Sequence, residues 1–160
     1  MADVAVVNAS PLIYLTEAGR LELLRLAGDE VLVPEAVAQE VRRWGADDPA
    51  VRALAATPWL RIVASIDVPP SIQAWDLGPG ETAVLSWALV HRSLAILDDL
   101  AARRCAAAHH VPVRGTLGLV LAAKRKGRIP AARPVLDELR QAGMYLSDAL
   151  RNRALALVGE

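Results

Sequence analysis

Val4-Ala5-Val6-Val7-Asn8-Ala9-Ser10 is an unbroken apolar run that stops at an amide and a hydroxyl. Four successive apolar residues, with no polar alternation, describe a strand covered on both faces. Four further runs read the same way: Glu30-Val31-Leu32-Val33, Leu60-Arg61-Ile62-Val63, Leu94-Ala95-Ile96-Leu97 and Val111-Pro112-Val113. Between them lie stretches with helical spacing. Leu21, Leu24 and Leu26 mark a short helix after Gly19, and Pro34 sits where a first-turn proline belongs, opening a helix through Val37, Val41 and Trp44. Helices are also expected over residues 82–91 and 100–108. Thr116 is placed to cap a helix over 117–126 that stops at Gly127 and Pro130, and Ser147 to cap a last one over 148–157. This alternation predicts an α/β fold, a parallel sheet sandwiched between helices on both faces. One loop-like stretch, residues 67–80, holds Pro69, Pro70, Gly78, Pro79 and Gly80, and reads as a surface or active-site loop.

With 160 residues the chain is expected to form a single domain over 1–160. Hydrophobic residues at 54% and charged ones at 22% exclude a disordered chain. The single cysteine, Cys105, excludes an internal disulfide and a four-cysteine zinc site. The longest apolar run, residues 117–123, is far below a membrane span. No basic region precedes Val4, so no signal peptide is expected and the chain is read as cytoplasmic. A net charge of zero hides a split: residues 1–80 carry 11 acids and 6 bases, residues 81–160 carry 7 acids and 12 bases. Lys124-Arg125-Lys126-Gly127-Arg128 centres the basic excess. It is either a solvated helix C-terminus suited to the helix dipole or part of a polyanion surface.

No phosphate-binding loop, dinucleotide fingerprint or nucleophile elbow is present. The pair His109-His110 ends a helix with no ligand at metal spacing and reads as a solvated terminus. What remains is acidic. Ligands of open α/β sheets bind beyond the carboxyl ends of the strands, where the first strand ends in Asn8 and the fourth in Asp98-Asp99. Asp99 is either a plain cap of the following helix or part of a site with Asp98. Glu81, just after Gly78-Pro79-Gly80, stands in a helix first turn, where the dipole alone favours an acid. Glu40 falls on the stripe of Val37 and Trp44 expected to face the core, so it needs a cation, a donor or a metal as partner. Asn8, Glu40, Glu81, Asp98 and Asp99 together form an oxygen set suited to Mg²⁺ or Mn²⁺. Phosphodiester hydrolysis is the chemistry such a set serves best.

These residues resemble a PIN-domain protein, of the prokaryotic subgroup related to toxin ribonucleases. The resemblance rests on four stretches in order: Val7-Asn8-Ala9-Ser10-Pro11-Leu12-Ile13, Val33-Pro34-Glu35-Ala36-Val37-Ala38-Gln39-Glu40-Val41, Gly78-Pro79-Gly80-Glu81-Thr82-Ala83 and Leu97-Asp98-Asp99-Leu100-Ala101-Ala102-Arg103. Gly115-Thr116-Leu117-Gly118, with Lys124-Arg125-Lys126-Gly127 behind it, resembles that subgroup in particular. It implies a metal-dependent endoribonuclease that cuts single-stranded RNA. The acidic positions fall on Asn8, Glu40, Glu81 and Asp99 as catalytic residues, with Asn8, Glu81, Asp98 and Asp99 as metal ligands. Ser10, Arg103 and Thr116, with Lys124 and Arg125, are expected to contact substrate. An antitoxin protein whose C-terminal segment lies over the pocket is the implied partner. Asn8 replaces the usual first acid, and so supports an alternative: a catalytically weakened PIN-like module that binds RNA or protein. A structural or dimerising α/β domain is a third class. The stripe of Leu150, Ala154, Leu157 and Val158 on the last helix must pack on its own domain or on another copy, and the resemblance tilts this toward a homodimer; no membrane partner is expected.

Overall fold

Strand β1 (Val4–Val7) lies at the centre of a five-stranded, all-parallel sheet with the order β3-β2-β1-β4-β5. The other strands are β2 (Glu30–Pro34), β3 (Leu60–Val63), β4 (Leu94–Ile96) and β5 (Val113–Arg114). The computed structural model describes residues 3–160, so the first two residues of the expected domain lie outside it. Burial explains the pattern in the strands. Side chains alternate between faces, yet Ala5, Val6 and Val7 are all fully buried, as are Ala95, Ile96 and Leu97. Both faces of the central strands are therefore covered. The edge strand β3 keeps only Leu60 buried and exposes Arg61, which pairs with Glu30 on β2 at 2.7 Å.

The chain winds outward from β1 to β2 and β3, then crosses back to β4 and β5 on the other side of β1. Between β1 and β4 the winding reverses, and the carboxyl ends of those two strands flank a crevice there. The connecting helices are α1 (Ala9–Glu17), α2 (Glu35–Arg42), α3 (Pro49–Ala56), α4 (Pro70–Gln73), α5 (Pro79–His91), α6 (Leu100–Ala108) and α7 (Thr116–Arg125), followed by α8 (Arg133–Gln141) and α9 (Asp148–Leu157). The α/β expectation holds; several local boundaries differ from it. Pro34 ends β2, paired with Val63, and only precedes α2. Its ψ of 147° is extended, which keeps it out of the helix. Leu21–Leu26 is a 3-10 helix, and the loop over 67–80 carries the single turn α4. Ser147 does cap α9, accepting from the Leu150 N–H. Thr116 does not cap α7: it is the first residue of that helix, and Gly115 occupies the capping position.

Candidate functional site

Asn8 follows the last residue of β1 and precedes the first residue of α1. Its backbone N–H donates to Ile96 O at 3.0 Å, extending the sheet one residue past the strand. Only 2% of the residue is exposed. Its Nδ2 donates to Glu81 Oε1 at 3.2 Å, which turns Oδ1 to the opposite side. That Oδ1 is the one buried side-chain oxygen or nitrogen with no hydrogen-bond partner among the described residues. Leaving a buried acceptor unpaired costs about 1–3 kcal/mol, so its surroundings are informative.

Those surroundings are made by Gly78-Pro79-Gly80-Glu81. Pro79 opens α5 at a position that needs no N–H donor, and Glu81 follows in the first turn. Both glycines make room for carboxylates. A Cβ at Gly78 would lie 2.6 Å from Glu81 Oε2. One at Gly80 would lie 2.9 Å from Glu40 Oε2 and 3.1 Å from Asn8 Oδ1. These two oxygens therefore both border the space beside Gly80 and lie no more than about 6 Å apart. Both are acceptors, and neither has a protein hydrogen-bond donor among the described residues. Glu40 makes no ion pair among the described residues; Arg42, its neighbour, pairs with Glu35 instead. Burial pushes the Glu40 carboxyl above its ordinary range, the Glu81 carboxylate adds to this, and Arg43 partly offsets both.

Glu40 thus reaches the pocket, but not for the reason that its spacing suggested. α2 stops at Arg42, its buried stripe is Val37, Ala38 and Val41, and Trp44 lies beyond the helix with 64% of its surface exposed. Glu40 is itself an exposed residue at the pocket mouth.

The aspartate pair is engaged elsewhere. Asp99 caps α6, accepting from the Ala102 N–H at 2.9 Å. Asp98, just beyond β4, caps α7 across the sheet: Oδ1 accepts from the Thr116 N–H at 2.8 Å and Oδ2 from the fully buried Thr116 hydroxyl at 2.6 Å. The register that pairs Ile96 with Arg114 brings Asp98 level with Thr116. A Cβ at Gly115 would meet Arg103 Nη1 at 2.7 Å and Asp98 Oδ1 at 3.0 Å, so Arg103 and Asp98 converge there. Sequence reasoning named Gly115 only as part of the resemblance and missed Arg43, which no local signal marks. Ser10 lies exposed in the first turn of α1. Lys124 and Arg125 end α7 about 12–14 Å along its axis from Thr116. There the Lys124 ammonium donates to Pro130 O at 2.7 Å and lies 4.0 Å from Glu160. The structure brings Asn8, Glu40 and Glu81 together, sets Asp98, Thr116 and Arg103 at the neighbouring strand ends, and leaves Lys124 and Arg125 at the far end of their helix.

Among the described residues no three His, Cys, Asp or Glu side chains gather where one metal could be held. Asn8 sets an amide oxygen beside the two carboxylates Glu40 and Glu81. The donor set still fits a hard cation. Mg²⁺ keeps several waters and needs only one or two carboxylates. Glu40 and the orphaned Asn8 Oδ1 offer one carboxylate and one neutral oxygen at the space that Gly80 leaves open, and Glu81, hydrogen-bonded to Asn8 Nδ2, adds a second carboxylate beside them.

A family model described as a PIN domain matches residues 4–160. No curated protein matches the chain. Among solved structures it is similar to a chain in the crystal structure of VapBC2 from Rickettsia felis bound to a DNA fragment from their promoter. That match has 10% sequence identity and a TM-score of 0.47, and covers 70% of this chain and 98% of that one. The family match runs from the first residue of β1 to the last residue of the sequence, and the chain belongs to the PIN-domain family.

Proposed function

We propose that the protein is an endonuclease that cuts single-stranded RNA phosphodiesters with Mg²⁺ or Mn²⁺ held by Asn8, Glu40 and Glu81. PIN domains are in general metal-dependent nucleases. The observation that carries the reading for this chain is the pair of neighbouring acceptors beside Gly80, Asn8 Oδ1 and Glu40 Oε2, with Asn8 Oδ1 buried and unpartnered among the described residues. When bound, the cation supplies charge for a phosphoryl oxygen and acidifies water. The protein's residues do the rest. Asn8 Nδ2 holds Glu81 in one orientation. Glu40 sets a second carboxylate beside the space at Gly80, with Oε2 next to that glycine. Asp98 holds the start of α7 in place through Thr116, and Arg103 beside it is the nearby cation for a substrate phosphate.

The likeness of the five sequence stretches to toxin ribonucleases supports the role of toxin in a toxin–antitoxin pair, with an antitoxin segment covering the pocket. A homodimer through α9 goes with it. Leu150 and Leu157 stand exposed beside Leu117 and Leu121 around an apolar groove of about 520 Å³. Sedimentation at low micromolar concentration should give twice 17.1 kDa, and a monomer removes the dimer. A second reading, the weakened RNA- or protein-binding module, is favoured by one observation: Asn8 spends its amide on Glu81, while Asp98 and Asp99 serve as helix caps. Incubating the pure protein with a fluorescent single-stranded RNA separates the two. The nuclease cuts in Mn²⁺ or Mg²⁺, stops in EDTA and is silenced by Glu81→Gln. RNA binding without cleavage assigns the module instead.

A further inference from the structure

A cavity of about 730 Å³ lies toward the amino ends of β1 and β4, away from the acidic pocket. Val4 and Leu94, which begin β1 and β4, form part of its lining. Arg61, Arg92, Arg114 and Lys126 also line it, while Asp3 is the one carboxylate among its described lining residues. Arg61 is neutralised by Glu30 at 2.7 Å. Arg92, Arg114 and Lys126 have no carboxylate within 4 Å among the described residues, so three unpaired cations converge on one concave space. Its aromatic wall is Trp87 stacked on His91, with ring centroids 4.3 Å apart and planes at 27°.

Arg92 adds a second, independent observation. It closes α5 with φ 54° and ψ 45°, a left-handed conformation that side chains other than glycine adopt at a cost of about 1–2 kcal/mol. A glycine would serve this helix end better. The residue is instead an arginine shared by two cavities, the second of about 360 Å³ and lined also by His109 and His110. All three histidines of the chain and the Lys126 of the basic cluster thus line cavities at this end, on which the acidic pocket makes no call.

We propose that the 730 Å³ cavity is a binding site for a nucleotide phosphate, with Arg92, Arg114 and Lys126 on the phosphate and the Trp87–His91 wall beside the base. Its volume falls within the range of small-ligand pockets, roughly 300–1,000 Å³. Guanidinium groups favour phosphate through bidentate hydrogen bonds, and an aromatic wall favours a base over a bare anion. The ligand is either a free nucleotide or one unit of an RNA strand. The site uses none of the residues of the acidic pocket and does not depend on the nuclease reading.

The test is calorimetry on the full chain in EDTA, with AMP, inorganic phosphate and a 2′-O-methyl RNA octamer as probes. The wild type should bind AMP more tightly than phosphate, with an affinity that falls as salt rises. Arg92→Gly/Lys126→Gln should weaken AMP at least tenfold and flatten the salt dependence, while Glu81→Gln changes neither. Glycine suits the positive φ at position 92, so the double variant keeps the fold, and its melting curve checks this. An octamer bound far more tightly than AMP, and weakened by the double variant as AMP is, assigns the site to a strand; octamer affinity that the double variant leaves unchanged while AMP weakens assigns it to a free nucleotide. No binding of any probe at millimolar concentration, or equal binding by wild type and double variant, overturns the proposal.

Discussion

Gly80→Ala separates the pocket from the fold. Gly80 is the second residue of α5 and has no positive φ, so alanine fits its backbone and should gain roughly 0.5–1 kcal/mol of helix stability. The new methyl group would lie 2.9 Å from Glu40 Oε2 and 3.1 Å from Asn8 Oδ1. Ordinary contact begins near 3.4 Å, so Glu40 must retreat by about 0.5 Å and Asn8 by about 0.3 Å. Glu40 is the exposed end of a flexible side chain and moves cheaply. Asn8 is buried and tethered to Glu81, so its shift takes back part of the helix gain. The melting temperature should therefore stay within about 3 °C of wild type. Divalent-ion affinity should fall at least tenfold, because the methyl group occupies the space that the two oxygens border. Thermal unfolding and Mn²⁺ titration of the same preparation read both quantities. A variant that binds Mn²⁺ and cuts RNA as the wild type does refutes the assignment of that space. A fall in melting temperature beyond about 8 °C refutes the claim that Glu40 yields freely.

Glu40→Gln should stabilise the metal-free protein near pH 7. A carboxyl whose pKa is raised on folding costs stability once ionised, so the gain appears as pH rises through the raised range and shrinks toward pH 4. Urea unfolding at the two pH values measures it, and an equal gain at both contradicts the cause. Thr116→Val removes the donor to Asp98 Oδ2 and should cost about 1.5–3 kcal/mol, read as a drop of several degrees in melting temperature that Thr116→Ser restores. Asn8→Asp loses the hydrogen bond to Glu81 and sets a third carboxylate beside Glu40 and Glu81. It should melt lower in EDTA, bind Mn²⁺ more tightly and cut at least as fast; unchanged metal affinity would place the ion elsewhere.

The parts of the fold that were legible in the sequence are those decided within a few residues. Burial on both faces writes itself into β1 and β4 as unbroken apolar runs, and the motif of Gly78 to Glu81 marks the start of α5. The end of α2 was not legible, because Gly45 takes φ 95° and its N–H turns back to Arg42 O, which carries Trp44 out of the helix. The roles of Asp98 and Thr116 were hidden for another reason. Their hydrogen bonds join residues 18 positions apart and exist only because β4 and β5 are neighbours. The direction of Glu40 was similar: its place beside Asn8 follows from the packing of α2 on α5, not from its own helical spacing.

The most direct test of the central claim is Mn²⁺ binding by the wild-type protein beside Glu40→Gln/Glu81→Gln, followed by electron paramagnetic resonance. The account predicts one bound ion per chain in the wild type and none in the double variant, with both proteins folded by circular dichroism. An ion bound equally by both proteins, or by neither, contradicts it.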